Sequence, residues 1–181
     1  LEDSRPQTFS DLVRISGFSH GTNVWLDNAQ DLIKNGTCKL NEAISTRDDV
    51  MNFLIHRGMD RKHSFFVMEN VRKGKGIEKR NKQGQATTEF EAEMRENNIP
   101  EWFIESCKKI SYLFPRAHAV AYVMMAFRIA WFKVYHPLAF YAAYFSIRAK
   151  AFDLRIMTGD LKTQLTEFNR IKALDRAASP K

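Results

Sequence analysis

One stretch limits what this chain can become. From Arg116 to about His136 the sequence reads RAHAVAYVMMAFRIAWFKVYH, and Pro137 follows it. At 3.6 residues per turn this is roughly six turns of helix, rich in alanine and methionine and free of glycine. Proline lacks the N–H that would continue the ladder, so the chain restarts at Pro137 into an apolar helix ending near Arg148. Helix signals dominate elsewhere too, and there is no convincing strand run and no internal repeat. The expectation is an all-α chain, an irregular multi-helix domain.

Start and stop residues place the other helices. Thr8 with Asp11 three residues on resembles a capping box, opening a helix that runs through Ile15 and stops at Gly17. Thr22 or Asn23 caps a helix over 24–34, with Gly36 as its stop. Thr46 caps 47–57 before Gly58, and Asp60 caps a helix to about Lys73. Thr88 begins an acidic helix carrying Glu89, Glu91, Glu93 and Glu96, which looks like a solvated face. Pro100 suits the first position of a helix reaching about Tyr112. Amphipathic helix fills 153–176, interrupted around Gly159.

The pattern breaks at 72–88, RKGKGIEKRNKQGQATT, which has almost no apolar content. We divide the chain there: a helical lobe over 1–76, a mobile basic loop over 77–88, a second lobe over 89–153, and a helical extension over 154–181.

With Lys+Arg 28 against Asp+Glu 21, the formal charge is +7. An excess of this kind suits a polyanionic partner, although some soluble proteins are simply basic. Cys38 and Cys107 sit in no CxxC or Cys/His cluster, which argues against a zinc site. The first residues have no basic start followed by an apolar stretch, so they do not read as a signal peptide. The apolar stretch from Ala119 to Phe132 is broken by Arg128 and is short for a bilayer. The chain is read as cytoplasmic with no membrane partner. Lacking an initiating Met, it is expected to be an excised fragment.

Three segments could carry chemistry. In Val71-Arg72-Lys73-Gly74-Lys75-Gly76, cations alternate with glycines that allow close backbone approach. Arg72, Lys73 and Lys75 would suit a triphosphate or a DNA backbone, and Lys79, Arg80 and Lys82 extend the run. The plain alternative is a basic helix C-terminus stopped by glycine. The Walker A spacing is absent. In Phe114-Pro115-Arg116-Ala117-His118 and on to Tyr122, His118 and Tyr122 lie one turn apart, roughly 6 Å along the axis. A hydrogen-bonding His beside an aromatic plate suits a base or a phosphate ester; the alternative is a boundary histidine on a packed helix. Lys133 lies roughly 16 Å further along the axis and would meet DNA or solvent. Ser16-Gly17-Phe18-Ser19-His20-Gly21-Thr22 is read as a turn between helices, either a ligand loop or a C-cap followed by an N-cap. Ser19 and His20 are adjacent, which is poor geometry for a nucleophile and its base, so a serine hydrolase is rejected. Asp48 and Asp49 suit a helix start and point in different directions; no convincing metal site and no catalytic residue is found.

Together these residues resemble a known family. TFSDLVRISGFSHGTNVWLDNAQDLI, RDDVMNFLI, VRKGKG, FEAEM, PEWFIESCKKI and FPRAHAVAYVMMAFRIAWFKVYHPLAFYAAYFSIRA are similar, in order, to the PolC type of the bacterial DNA polymerase III alpha subunit, a C-family replicative polymerase. The likeness covers most of 8–153, with FPxAHxxAY its strongest piece. It implies a helical fingers region that binds incoming deoxynucleoside triphosphate (dNTP) and primer-template DNA. The catalytic aspartates and magnesium (Mg2+) would belong to a palm domain outside this chain, which alone should be inactive. By position, Arg72, Lys73 and Lys75 look phosphate-facing. His118 and Tyr122 look nucleotide-facing, with Phe114 and Arg116 close by. Ser16, Gly17, Ser19 and His20 look like a pocket-shaping element, with Lys133 toward DNA. Between Gly76 and Phe90 the chain is longer than the family pattern, and after Asp153 the resemblance fades. The competing reading is a stand-alone basic helical module that binds nucleic acid or protein without handling triphosphates.

Overall fold

Capping residues set the first helices. In a computed structural model describing residues 4–80, 86–88, 90–148 and 153–178, α1 spans Phe9–His20. The Thr8 hydroxyl accepts from the Asp11 amide at 3.1 Å, and the Asp11 carboxylate accepts from the Thr8 amide at 2.9 Å. Both bonds satisfy orphan donors of the first turn. The same device opens α3, Arg47–His56, where Asp49 accepts from the Thr46 amide at 2.8 Å. Asp60 opens α4, Arg61–Arg72, by accepting from the amides of Lys62 and His63. Gly36 and Gly58 adopt φ of 70° and 97°, the left-handed region open to glycine.

Two expectations are corrected. Gly17 does not stop α1, which continues to His20, so Ser16 to His20 form a helical last turn and not a loop. Gly17 is there because α1 comes close to the backbone of Ser45: a Cβ at position 17 would fall 2.4 Å from the Ser45 carbonyl oxygen. Residues 24–34 are not one helix. Only α2, Gln30–Lys34, is regular; Trp25–Ala29 is kinked, with Asp27 at φ 55°. The buried Asn28 holds the kink. Its amide donates to Asn23 O at 2.9 Å, and its side-chain oxygen accepts from Ser106 Oγ at 2.7 Å.

A short antiparallel ladder, β1 Lys79–Arg80 with β2 Ala86–Thr88, is the small exception to an otherwise helical fold. Lys82 of the basic run, Glu89 of the acidic helix and the tail 179–181 lie outside the described residues. Then come α5, Phe90–Glu96, and α6, Glu101–Lys109, with Pro100 at the cap and not inside the helix. The acidic face of α5 is paired: Glu91 meets Arg95 at 2.6 Å and Lys108 at 2.9 Å, and Glu93 meets His63 at 2.8 Å.

The structure divides into two compact units, one ending at Phe127 and one beginning at Arg128. The core of the first joins residues from both sides of 77–88. Val67, Met68 and Val71 form a stripe along α4 at helical spacing. They share the core with Val50 and Leu54 of α3, Phe90 and Met94 of α5, and Phe103, Ile104 and Cys107 of α6. Burial raises the thiol pKa of Cys38 to about 11 and raises that of Cys107, so both stay protonated and unreactive.

The long helix α7, Arg116–Tyr135, serves both units. Its first half gives Ala119 and Val123 to a small cluster with Val13 of α1, and Phe9 meets Phe127 edge-on at 6.0 Å. By length and composition alone α7 could cross a bilayer, a longer span than the sequence reading allowed. The second unit holds the end of α7, α8 at Pro137–Ala143 continuing as a wider turn over Tyr144–Arg148, α9 at Leu154–Met157, and α10 at Leu161–Ala178. Asp153 caps α9, and Asp160 accepts from the Thr163 amide at the start of α10.

Candidate nucleotide and nucleic-acid site

A four-residue seam organises the site. Ser111 to Phe114 leave α6 in extended form, with the side chain of Leu113 fully buried in the core. Their backbone reaches three other segments. Thr22 N donates to Tyr112 O at 3.0 Å, and Ser111 N donates to Thr22 O at 3.1 Å. Leu113 N donates to Arg72 O at 3.3 Å, and Arg47 N donates to Phe114 O at 3.2 Å. Extended backbone needs partners when buried, and here the end of α1, the end of α4 and the start of α3 supply them. The three segments singled out in the sequence therefore meet on one strip of backbone, all within the first unit.

On one side of the seam lies a ring cluster. The Phe114 and His20 rings stack at 4.8 Å. Tyr122 lies 6.2 Å from His20 with planes 4° apart, and 6.1 Å from Phe114. The His118 ring meets Phe114 edge-on at 6.0 Å. Phe114 is half-buried, while His20, His118 and Tyr122 are exposed. The cluster thus has an anchored ring below and rings open to solvent above.

His20 is oriented from its own helix. Its Nδ1 lies 2.9 Å from the Ser16 carbonyl, which can only accept. A neutral His20 therefore carries its proton on Nδ1 and presents Nε2 as an acceptor. Ser19 Oγ also bonds Ser16 O, at 3.1 Å. With Nδ1 turned into its own backbone, His20 cannot take a proton from Ser19 through that nitrogen, which adds geometry to the rejection of a serine hydrolase.

On the other side of the seam lies the basic segment. Arg72 makes two bonds to Glu69, at 2.9 and 3.0 Å, and Lys73 makes one at 3.0 Å. Arg72 first, then Lys73, lowers the Glu69 pKa to about 2. Two of the three cations therefore share one carboxylate, an i,i+3 and i,i+4 arrangement readable from spacing. Lys75 is exposed and makes no ion pair among the described residues. Gly74, at φ 66°, lets the turn press on Ser111: a Cβ there would lie 2.4 Å from the Ser111 carbonyl oxygen.

Arg116 belongs to a third group. Its amide donates to Asp48 Oδ2 at 2.9 Å, and its guanidinium lies 4.0 Å from Asp49. Asp49 also accepts from Ser45 Oγ at 2.7 Å and faces Arg14 at 3.6 Å. Lys133 lies in the second unit, its ammonium 5.8 Å from the centre of the Phe140 ring. Among the described residues, no group of three His, Cys, Asp or Glu could hold a metal ion.

Fold and site together define a class: a basic helical domain in which an aromatic–histidine cluster and a glycine-containing cationic turn share one seam. A family model for the bacterial DNA polymerase III alpha subunit finger domain matches residues 1–98. The chain is similar to DNA polymerase III PolC-type of Thermotoga maritima, at 57% identity over 97% of its length. Against the proteins of the same name from Caldanaerobacter subterraneus subsp. tengcongensis and Bacillus subtilis the identity is 54% and 52%, over the whole chain. It spans about 12% of the length of each of these relatives. The chain belongs to the PolC-type DNA polymerase III alpha subunits, as their fingers domain.

Proposed function

We propose that this domain binds incoming dNTP and primer-template DNA for template-directed DNA synthesis, as part of a DNA-directed DNA polymerase. The observation that carries the reading is the exposed cluster of His20, His118 and Tyr122 over Phe114, one residue along the seam from the bond to Arg72. Aromatic faces hold bases or sugars whatever their sequence, and cations hold phosphates.

In nucleotidyl transfer the primer 3′ oxygen attacks the α-phosphorus, and pyrophosphate leaves. Lys75, and Arg72 and Lys73 to the extent that Glu69 leaves them free, offset the negative charge of the triphosphate and of the departing pyrophosphate. Tyr122 and His20 fix the pose. Asp48 and Asp49 are committed to the starts of α7 and α3, so the donor set does not fit magnesium. We assign Mg2+ and the catalytic carboxylates to the palm domain, outside this chain. The reading places the protein in the bacterial cytoplasm, with the rest of the polymerase as its partner.

Primer extension with magnesium and all four nucleotides, comparing this chain with the full-length polymerase, tests the first part. Activity only in the longer protein is expected; activity in the chain alone would overturn the assignment of the carboxylates. Tyr122→Ala in the full-length enzyme tests the second part. The nucleotide KM should rise by roughly fivefold to a hundredfold, the equivalent of losing one stacking surface. An unchanged KM would return Tyr122 to a packing role.

A further inference from the structure

Among its described residues the second unit has no core. Among its described side chains, from Arg128 to Leu174, none is buried. Leu138 and Ile147 are 89% and 78% exposed, and Trp131, Phe132, Tyr135 and Tyr144 are open as well. A groove of about 850 Å³ runs between the end of α7 and the turn after α8, lined by Ile129, Phe132, Phe140, Ala143, Tyr144 and Ile147. Exposed apolar surface of this extent marks an interface, and a unit with no fully buried side chain among its described residues lacks most of the main favourable term of folding.

Charge narrows the occupant. Between Glu105 and Asp153 the sequence has seven Lys or Arg residues and no Asp or Glu, so the whole formal excess of +7 lies in this stretch. Arg128, Lys133 and Arg148 belong to it. A second copy docked on this face would bring those cations together, which disfavours a symmetric dimer. The open rings of Trp131, Phe132, Tyr135 and Tyr144 could each stack a base, but Ile129, Val134, Leu138 and Ile147 among them add aliphatic surface that a base does not use, which favours protein over single-stranded DNA. The relatives carry the counterpart of all 181 residues within a polypeptide of which it is only about 12%.

We infer that the apolar face of residues 128–148 docks within the same polypeptide, against an apolar helical segment outside residues 1–181 whose carboxylates face Arg128, Lys133 and Arg148. The inference rests on the reading of this chain as one part of a polymerase. It adds which surface is held, and by what chemistry. The face is then buried in the enzyme at all times and not reserved for substrate.

Hydroxyl-radical footprinting of the full-length polymerase tests this, in dilute solution without DNA or nucleotide. Labelling at Leu138 and Ile147 should fall to the level of the core residues Leu54 and Leu113. A photo-crosslinking amino acid in place of Leu138 should join a peptide of the same chain in a species that migrates as monomer. Three results would overturn the inference: full labelling in the dilute protein, protection that appears only with single-stranded DNA, or protection that appears only as protein concentration rises. The measurement is independent of nucleotide binding. A polymerase whose KM responds to Tyr122→Ala while Leu138 stays labelled keeps the proposed function and loses only this interface.

Discussion

His20 and Tyr122 come from helices a hundred residues apart in sequence, yet their ring planes differ by 4° at a centre-to-centre distance of 6.2 Å. Phe114 contacts both rings, and the Ser16 carbonyl fixes the imidazole. Two rings held as a unit should not contribute independently. We expect His20→Ala to raise the nucleotide KM of the full-length enzyme less than Tyr122→Ala does. The double variant should fall short of the product of the two effects, with a coupling of about 0.5–3 kcal/mol, the range for residues in contact. Single-turnover incorporation across the four proteins measures this. Strict multiplicativity would mean that the rings act separately.

Lys75 and Glu69 should act in opposite directions. Lys75→Ala removes the cation of the segment that makes no ion pair among the described residues, so primer-template affinity should fall and the salt slope should flatten by about 1. Glu69→Gln releases Arg72 and Lys73 from their shared carboxylate, so affinity should rise and its salt dependence should steepen. A salt titration of DNA binding by the full-length polymerase checks both. If neither variant moves the slope, the basic turn faces solvent and not phosphate.

Glu69 also gives the segment a pH dependence. Its pKa is lowered to about 2, chiefly by Arg72 and then by Lys73. For a carboxylate with a depressed folded-state pKa, the unfolded chain binds the proton more readily. The stabilisation is therefore fully present above the ordinary carboxylate range, near pH 4.5, and is lost as the pH falls toward 2. Urea unfolding should show wild type more stable than Glu69→Gln at pH 6, with the difference shrinking below about pH 4. A difference that stays constant down to pH 2 would mean that the pairs do not stabilise the fold.

What could be read from sequence was what is decided locally. The caps at Thr8, Thr46 and Asp60 each depend on residues three positions away, and all three form as read. The pairing of His118 with Tyr122 on one helix face is equally local. Features set by distant partners were not readable. A glycine that ends a helix and one that admits a neighbour look alike in sequence, and only Ser45 decides which Gly17 is. The kink at Trp25–Ala29 depends on Ser106, and the place of His20 depends on Phe114 and Tyr122. Glu69 stands three and four residues before Arg72 and Lys73, so its pairs were legible; weighing the cations alone overstates the charge left free for phosphate.

Asp48 reaches across 68 residues to accept from the Arg116 amide, satisfying a first-turn donor of α7 from another helix. Asp48→Ala should cost about 1 kcal/mol of stability, as for loss of an N-cap. The change loosens the turn that carries Phe114 and His118, so a modest rise in nucleotide KM should accompany it. Asp48→Asn retains an acceptor and should restore most of both. A stability loss with unchanged KM would separate the start of α7 from the nucleotide.

Gly17 offers a test of sign. Replacing a helical glycine with alanine ordinarily stabilises by about 1 kcal/mol, because alanine loses less backbone entropy on folding. Here the new Cβ would fall 2.4 Å from Ser45 O and 2.9 Å from Ser45 C, both backbone atoms that cannot rotate aside. α1 would have to lift away from Ser45, carrying Ser16 and His20 with it. Gly17→Ala should therefore destabilise, by about 1–3 kcal/mol as in other overpacked positions, and should raise the nucleotide KM by displacing the His20 ring. Gly36→Ala is the control. Gly36 sits at φ 70° with nothing within 4 Å of a new Cβ, so only the backbone conformation should count, at about 1–2 kcal/mol, with no change in KM. Denaturant unfolding and single-nucleotide incorporation on the two variants decide the matter. A Gly17→Ala protein more stable than wild type would mean that α1 does not lie against Ser45.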